Sequence, residues 1–184
     1  MQQDAAGILS FWRAAGPPKW FQGGEAFDEE VKLHLLPAYE QAASGALDHW
    51  RENAQGALAR LILLDQVPRN VFRGTPKAFA TDALALAGAQ DAIARGFDRD
   101  PQVELAPSLR SFFYLPLMHA EDEATQDRCV ALYEAWGDEN GLHHARVHHE
   151  AIARFGRFPH RNVILGRVMT PDEQAYLDGG GFTG

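Results

Sequence analysis

Apolar residues recur every three or four positions along almost all of this 184-residue chain, and nowhere do they alternate in twos. Side chains three or four apart share one face of an α-helix, whereas a half-buried strand needs every second residue apolar. Ile8, Phe11 and Trp12 make a first stripe, stopped by Gly16 and the Pro17-Pro18 pair. Phe27, Val31, Leu35 and Tyr39 make a second, which Pro37 is expected to kink. Leu58, Leu61, Ile62 and Asp65 share a face of a third helix, ended by Pro68. Thr75-Pro76 reads as a helix start, a capping hydroxyl followed by proline at the first helical position. The helix it opens is expected to run through Phe79, Ala83, Leu86 and Ile93 to Gly96, a left-handed stop.

A loop over 97–105 follows, and Pro107-Ser108 opens a short helix with Leu109, Phe112 and Phe113, broken or bent by Pro116. Glu121 and Asp122 stand where a helix N-terminus favours negative charge, ahead of Cys129, Leu132, Tyr133 and Trp136. Leu142, Ala145, His149 and Ile152 mark another helix, ended near Gly156. Thr170-Pro171-Asp172-Glu173 is a capping box opening a last short helix to Leu177. The pattern predicts one all-α domain over 1–184, a helical array of about seven to nine helices.

The charge balance narrows the function. A net charge of −8 argues against nucleic acid and anionic membranes as partners, since both need a basic face. No apolar run is long enough to span a bilayer, and Met1-Gln2-Gln3-Asp4 is not a signal peptide, so a cytoplasmic protein is expected. A single cysteine, Cys129, among Val130, Leu132 and Tyr133, reads as a packed core thiol. There is no Gly-rich phosphate loop, no Gly-x-Ser-x-Gly elbow and no zinc ribbon, and neither cofactor nor metal is called for. The tryptophans read as core, except that Trp20-Phe21, in a Pro- and Gly-flanked loop, suits a lid over a cleft.

Three sets of residues are ones a plain helical core would not choose. Asp65 follows Leu61-Ile62-Leu63-Leu64 on an apolar face, where an unpaired carboxylate would cost several kcal/mol. Arg69 and Arg73 are its candidate partners, either in a structural ion pair or with Asp65 orienting an arginine toward a bound anion. The tract 143–167 holds Arg146, Arg154, Arg157, Arg161 and Arg167 against one acid, Glu150. Its arginines suit bidentate pairing with a ligand carboxylate or phosphate, or equally with Glu121, Asp122, Glu123 and Asp127 of the chain itself. His144 and His148 stand four apart, a spacing that metal ligands on a helix use, with His119, Glu121 and Asp122 as further donors. The complete His-Glu-x-x-His arrangement is absent, and a solvated pair, or His148 bonded to Asp122 or Glu121, is the plainer reading.

Three segments, 64–74, 113–122 and 154–162, together resemble a bacterial family, the domain of unknown function numbered nine hundred and twenty-four. They read Leu-Asp-Gln-Val-Pro-Arg-Asn-Val-Phe-Arg-Gly, Phe-Tyr-Leu-Pro-Leu-Met-His-Ala-Glu-Asp and Arg-Phe-Gly-Arg-Phe-Pro-His-Arg-Asn, and the Phe11-Trp12 and Trp20-Phe21 pairs extend the match. Val67 and Leu117 depart from a family phenylalanine, and Ala120 from a serine. The resemblance implies a tetratricopeptide-like α–α superhelix and no particular activity. It also sets Asp65, Arg69, Arg73, His119, Glu121, Asp122, His148, Arg157, His160 and Arg161 above the other charged residues as site candidates.

Three functions are therefore expected in competition. In the first, Asp65, Arg69, Arg73, Asp122, Arg157, His160, Arg161 and Asn162 line a site for an anionic small molecule or a peptide carboxylate. In the second, the chain is a hydrolase with His119 or His148 as general base beside Glu121 or Asp122, or, in a metal-assisted variant, with these histidines and acids as ligands. In the third, the polar set is structural and the function lies in a protein–protein surface.

Overall fold

The computed structural model describes residues 4–103 and 108–184. Pro107 and Leu105, expected to open a helix and close a loop, lie outside the described residues, as do residues 1–3. Among the described residues there is no strand, and the chain is a helical array as its apolar spacing requires. The residues group into two compact units, 1–73 with 77–116 and 74–76 with 117–184.

In the first unit, α1 (Ala5–Gln22) is capped by Asp4, whose carboxylate accepts the N–H of Gly7 at 2.8 Å. Gly16 has φ 72°, a conformation closed to most residues, and the helix turns there before resuming on Pro17 and Pro18. Those prolines sit at the start of the resumed segment, where a missing N–H costs nothing. The expected stop is thus a kink, and Trp20 and Phe21, read as loop, are helical. Trp20 is buried edge-on against Phe112, and its indole N–H donates to the Trp12 carbonyl at 2.6 Å. In α2 (Gly24–Ala43) the stripe Phe27, Val31, Leu35 and Tyr39 is buried as its spacing predicts, and the helix runs through Pro37.

Pro68 does not end the third helix. Helix α3 (Ala54–Leu61) passes into a π-helical turn (Ile62–Gln66) and then into α4 (Val67–Val71), with Pro68 in the first turn of α4. The wider turn absorbs the proline ring, which would clash with the carbonyl four residues back in a plain α-helix. Leu64, the residue four before Pro68, has its carbonyl bonded instead by the Thr81 hydroxyl at 2.6 Å. Asn70 and Arg69 side chains serve the carbonyls of Gln66 and Asp65 at 2.9 and 2.7 Å. The displaced backbone acceptors are therefore satisfied by side chains, as a helix interior requires.

Pro76 opens only a short 3-10 turn (Pro76–Phe79), and α5 (Asp82–Ala94) begins later than expected. Its buried face is Ala85, Ala89, Ala92 and Ile93, not the stripe through Ala83, because small side chains let it lie close against α3. Gly96, at φ 74°, ends the helical run as predicted. Helix α6 (Ser111–Met118) is apolar on all sides, and its Phe112, Phe113 and Tyr114 are buried, as an all-round apolar helix requires.

The second unit is built on a hairpin of α7 (Glu123–Trp136) and α8 (Glu139–Phe155), joined through Gly137 and Asp138. Asp122 and Asp138 cap the two helices by accepting the N–H groups of Thr125 and Gly141. Gly141 faces the Tyr133 ring so closely that a β-carbon there would sit 2.2 Å from Cε1. Gly156 (φ 68°) ends α8, a 3-10 turn (Pro159–Arg161) follows, and α9 (Pro171–Asp178) starts in the predicted capping box of Thr170 and Glu173. Ala151, Ile152 and Phe158 form a small core, covered by Tyr176 and Phe182. No helix of the described residues is long and apolar enough to cross a membrane.

Candidate functional site

The candidate residues divide between the two units. In the first, Asp65 is 2% exposed on the π turn, and its carboxylate lies 3.3 Å from the Arg69 guanidinium. Arg69 also grips Asp82 with both nitrogens, at 2.9 and 3.0 Å. Burial alone would lower the Arg69 pKa, but Asp65 and Asp82 outweigh it and hold the guanidinium charged. Arg73, the other proposed partner of Asp65, instead makes a two-point pair with Asp28 at 2.7 and 2.8 Å. Neither Asp28 nor Asp82 stood out in the sequence, since nothing local marks an acid 45 or 13 residues from its arginine.

In the second unit the polar residues form a nearly closed set of pairs. Glu121 accepts both ends of Arg167, at 2.8 and 2.7 Å, and the Phe158 N–H at 2.9 Å. Its burial would raise its pKa, but the Arg167 pair, the Phe158 N–H and nearby Arg161 together hold it below the ordinary value. Arg157 grips Glu173 at 2.6 and 2.9 Å and gives a third bond to the Val168 carbonyl. That pair is the main reason the Glu173 carboxyl is held down at about 2. Arg161 is buried over the Phe158 ring, 4.6 Å from its centre, and donates to the His119 carbonyl at 3.1 Å. Asn162 is buried and bonds Met169 and Glu173, with its Oδ1 unpartnered among the described residues. Glu173 and Arg167 carry much of this network, although the sequence marked Glu173 only as a helix cap.

The histidines cluster in the same unit. The His119 and His148 rings are 6.2 Å apart between centres. His148 is not bonded to Asp122 or Glu121; its Nδ1 lies 2.8 Å from the His144 carbonyl, because both sit one turn apart on α8. Asp122 spends its carboxylate on the N–H and hydroxyl of Thr125. Burial, with His119 and Arg161 adding, pushes His148 down to about 3, and burial with Arg161 takes His160 down to about 4. Both imidazoles are therefore neutral at physiological pH. Among the described residues no three histidine, cysteine or carboxylate side chains are placed to hold a metal ion. Cys129 is fully buried and its thiol is pushed up to about 12, the core role its neighbours suggest.

Among the described residues, not every arginine of this unit is paired. Arg154, exposed at the end of α8, lays its guanidinium 4.8 Å over Phe155 and 5.6 Å over Tyr176. Among the described residues no carboxylate is within ion-pair distance of it. With Phe155, Arg157, Thr170, Asp172 and Glu173 it lines a shallow cleft of about 360 Å³ between α8 and α9. The sequence named Arg154 within a cationic tract but had no signal to separate it from its paired neighbours.

A model of the family described as bacterial protein of unknown function (DUF924) matches residues 8–181. A solved structure of a protein of unknown function from Agrobacterium tumefaciens, ATU0120, is similar at 48% identity and a TM-score of 0.89. The match covers 96% of this chain and 97% of that one. No curated protein matches. Since the family model spans both units and nearly every residue discussed, the chain belongs to the bacterial family of unknown function DUF924.

Proposed function

We propose that the protein is a binding module for a carboxylate, carried by a small molecule or a peptide and taken up in the cleft between α8 and α9. The observation that carries this reading is Arg154, an exposed guanidinium already oriented by two aromatic rings and left without an anion. A cation stacked on rings has lost much of its rotamer freedom before binding, so less is lost when a planar carboxylate pairs with it. Arg157 adds its Nη1 amino group, which no described acceptor takes, while its other nitrogens hold Glu173. Asp172 on the same rim disfavours a phosphate dianion relative to a single carboxylate. Arg69, Arg73 and Arg167 already hold Asp82, Asp28 and Glu121, so they frame the protein rather than wait for a ligand.

A cytoplasmic setting and a tetratricopeptide-like array belong with this reading, supported by the single cysteine, which fits a reducing compartment, and by the α7–α8 hairpin. The competing hydrolase reading rests on His148, but burial pushes it down to about 3, so it is a weak base near neutral pH, and its neighbouring carboxylates hold Arg167 and Thr125. Thermal unfolding with an N-acetylated dipeptide as ligand tests the proposal. At a hundredfold excess over Kd a ligand stabilises the folded state by about 2.7 kcal/mol. The shift is expected in the wild type and in Arg128→Gln and is lost in Arg154→Gln. Equal shifts in all three proteins, or none in any, would overturn it.

A further inference from the structure

Helix α9 ends at Asp178 and is followed by Gly179, Gly180 and Gly181, after which the chain folds back over α8. The Phe182 ring centre lies 4.1 Å from that of His148, 5.0 Å from His160 in edge-to-face contact, and 5.9 Å from Phe158. Phe182 thus fills a slot whose sides are two neutral imidazoles and a phenyl ring. Its attachments are few. The Gly181 N–H donates to the Tyr176 carbonyl at 2.9 Å and the Phe182 N–H to the Tyr176 hydroxyl at 3.0 Å. Both reach the same residue, the Phe182 backbone also bonds the His160 ring, Thr183 and Gly184 are exposed, and Phe182 itself is only partly buried.

The slot beneath the ring has unused hydrogen-bonding capacity. A neutral His148 whose Nδ1 faces a carbonyl oxygen must carry its proton there, which leaves Nε2 as an acceptor. The Nδ1 of His160 is buried with no partner among the described residues. The Phe182 backbone bonds the His160 ring, but its side chain is apolar and offers no donor to the unpartnered Nδ1, although a buried acceptor without a donor is costly. A ring of the same size carrying an N–H or O–H group would fill the space and supply the donor as well.

We propose that this slot is a binding site for a flat ring bearing a hydrogen-bond donor, and that residues 179–184 are a hinged cap whose Phe182 occupies it until such a ring displaces it. Three consecutive glycines supply the hinge, since their backbones reach conformations other residues avoid. Opening requires only Phe182 and three hydrogen bonds to leave, so it is a local event below global unfolding in free energy. Tyr176 borders both this slot and the cleft at Arg154, but neither proposal needs the other to hold.

Native-state hydrogen exchange on the wild-type protein tests the cap. The Phe182 amide is expected to exchange at least a hundredfold faster than that of Ile152 in α8, with little dependence on denaturant. Equal rates with equal denaturant dependence would place Phe182 in the core and overturn the proposal. In Phe182→Ala, acylation of His148 and His160 by diethyl pyrocarbonate is expected to rise at least tenfold while exchange in α8 stays unchanged. Failure of that variant to fold would also overturn it, because a hinged cap is separable from the rest. The ligand class is read with 4-methylphenol and toluene on the same variant. Binding at least tenfold tighter for the phenol, with a shift of the His148 or His160 ring signals, supports a donor-seeking slot; equal affinities refute it.

Discussion

Replacing Arg69 by methionine removes the cation over a carboxylate that is only 2% exposed, and the consequences can be worked from the geometry. At the observed 3.3 Å and an effective dielectric of about 20, the gross attraction between Asp65 and Arg69 is about 5 kcal/mol. Losing it leaves Asp65 its bond from the Gln66 amide, at 2.6 Å, but no counter-charge from Arg69 in a nearly dry setting. Breaking a buried pair in this way costs about 3–5 kcal/mol. Asp82 adds little to that loss, because at 22% exposure it can be solvated. The reverse change, Asp65→Asn, removes the buried charge and leaves Arg69 its two bonds to Asp82. It is expected to cost about 1–2 kcal/mol, the range for an imperfectly replaced hydrogen bond. The double variant should then be more stable than Arg69→Met alone. In Arg69→Met the unpaired Asp65 takes up a proton at a raised pKa. Its deficit is therefore small below the unfolded carboxyl value, near 3.9, and grows as pH rises through the raised one. Urea unfolding followed by tryptophan fluorescence at pH 4.5 and pH 7 measures all of this. Arg69→Met within about 0.5 kcal/mol of wild type, or less damaging than Asp65→Asn, would refute the reasoning.

His148 and His160 have folded pKa values of about 3 and about 4, below the unfolded value, so the unfolded chain binds protons that the native state refuses. Stability is predicted to fall as pH drops from about 6.5 toward 4, by up to about 2.7 kcal/mol per pH unit for two such groups, and His148→Gln should roughly halve that slope in denaturant titrations. Glu173, held at about 2, contributes stability that is present above the unfolded carboxyl value and lost as pH falls through its folded value. Glu173→Gln should flatten the acid limb of the same titrations. Gly141→Ala drives a methyl group into the Tyr133 ring and should destabilise the α7–α8 hairpin by about 1–3 kcal/mol, measured by thermal or urea unfolding.

What the sequence made legible was local. Period and caps placed the Phe27 to Tyr39 stripe, Asp122 before α7, the Thr170–Glu173 box and the stops at Gly96 and Gly156, because each depends on residues within one turn. Pro68 misled for the opposite reason. A proline ends a helix unless its lost contacts are made good from elsewhere, and Thr81, 17 residues from Leu64, does so. The site suffered the same limit. Asp65 and Glu121 were recognisable as carboxylates needing cations, yet Arg73 finds Asp28 and Arg157 finds Glu173 through the fold, which helical spacing does not encode. Arg154 and Phe182 matter for what lies across from them, and neither has a local signature.

The carboxylate-binding proposal is tested most directly by the guanidinium signals of Arg154, followed by NMR as an N-acetylated dipeptide is titrated into the protein. The account predicts that the Arg154 Nε–H resonance moves saturably and that Arg157 follows at the same midpoint. The Arg69, Arg73 and Arg167 resonances should stay fixed, because their carboxylates are already in place. An Arg154 signal that never moves, or one that moves no more than theirs, would contradict it.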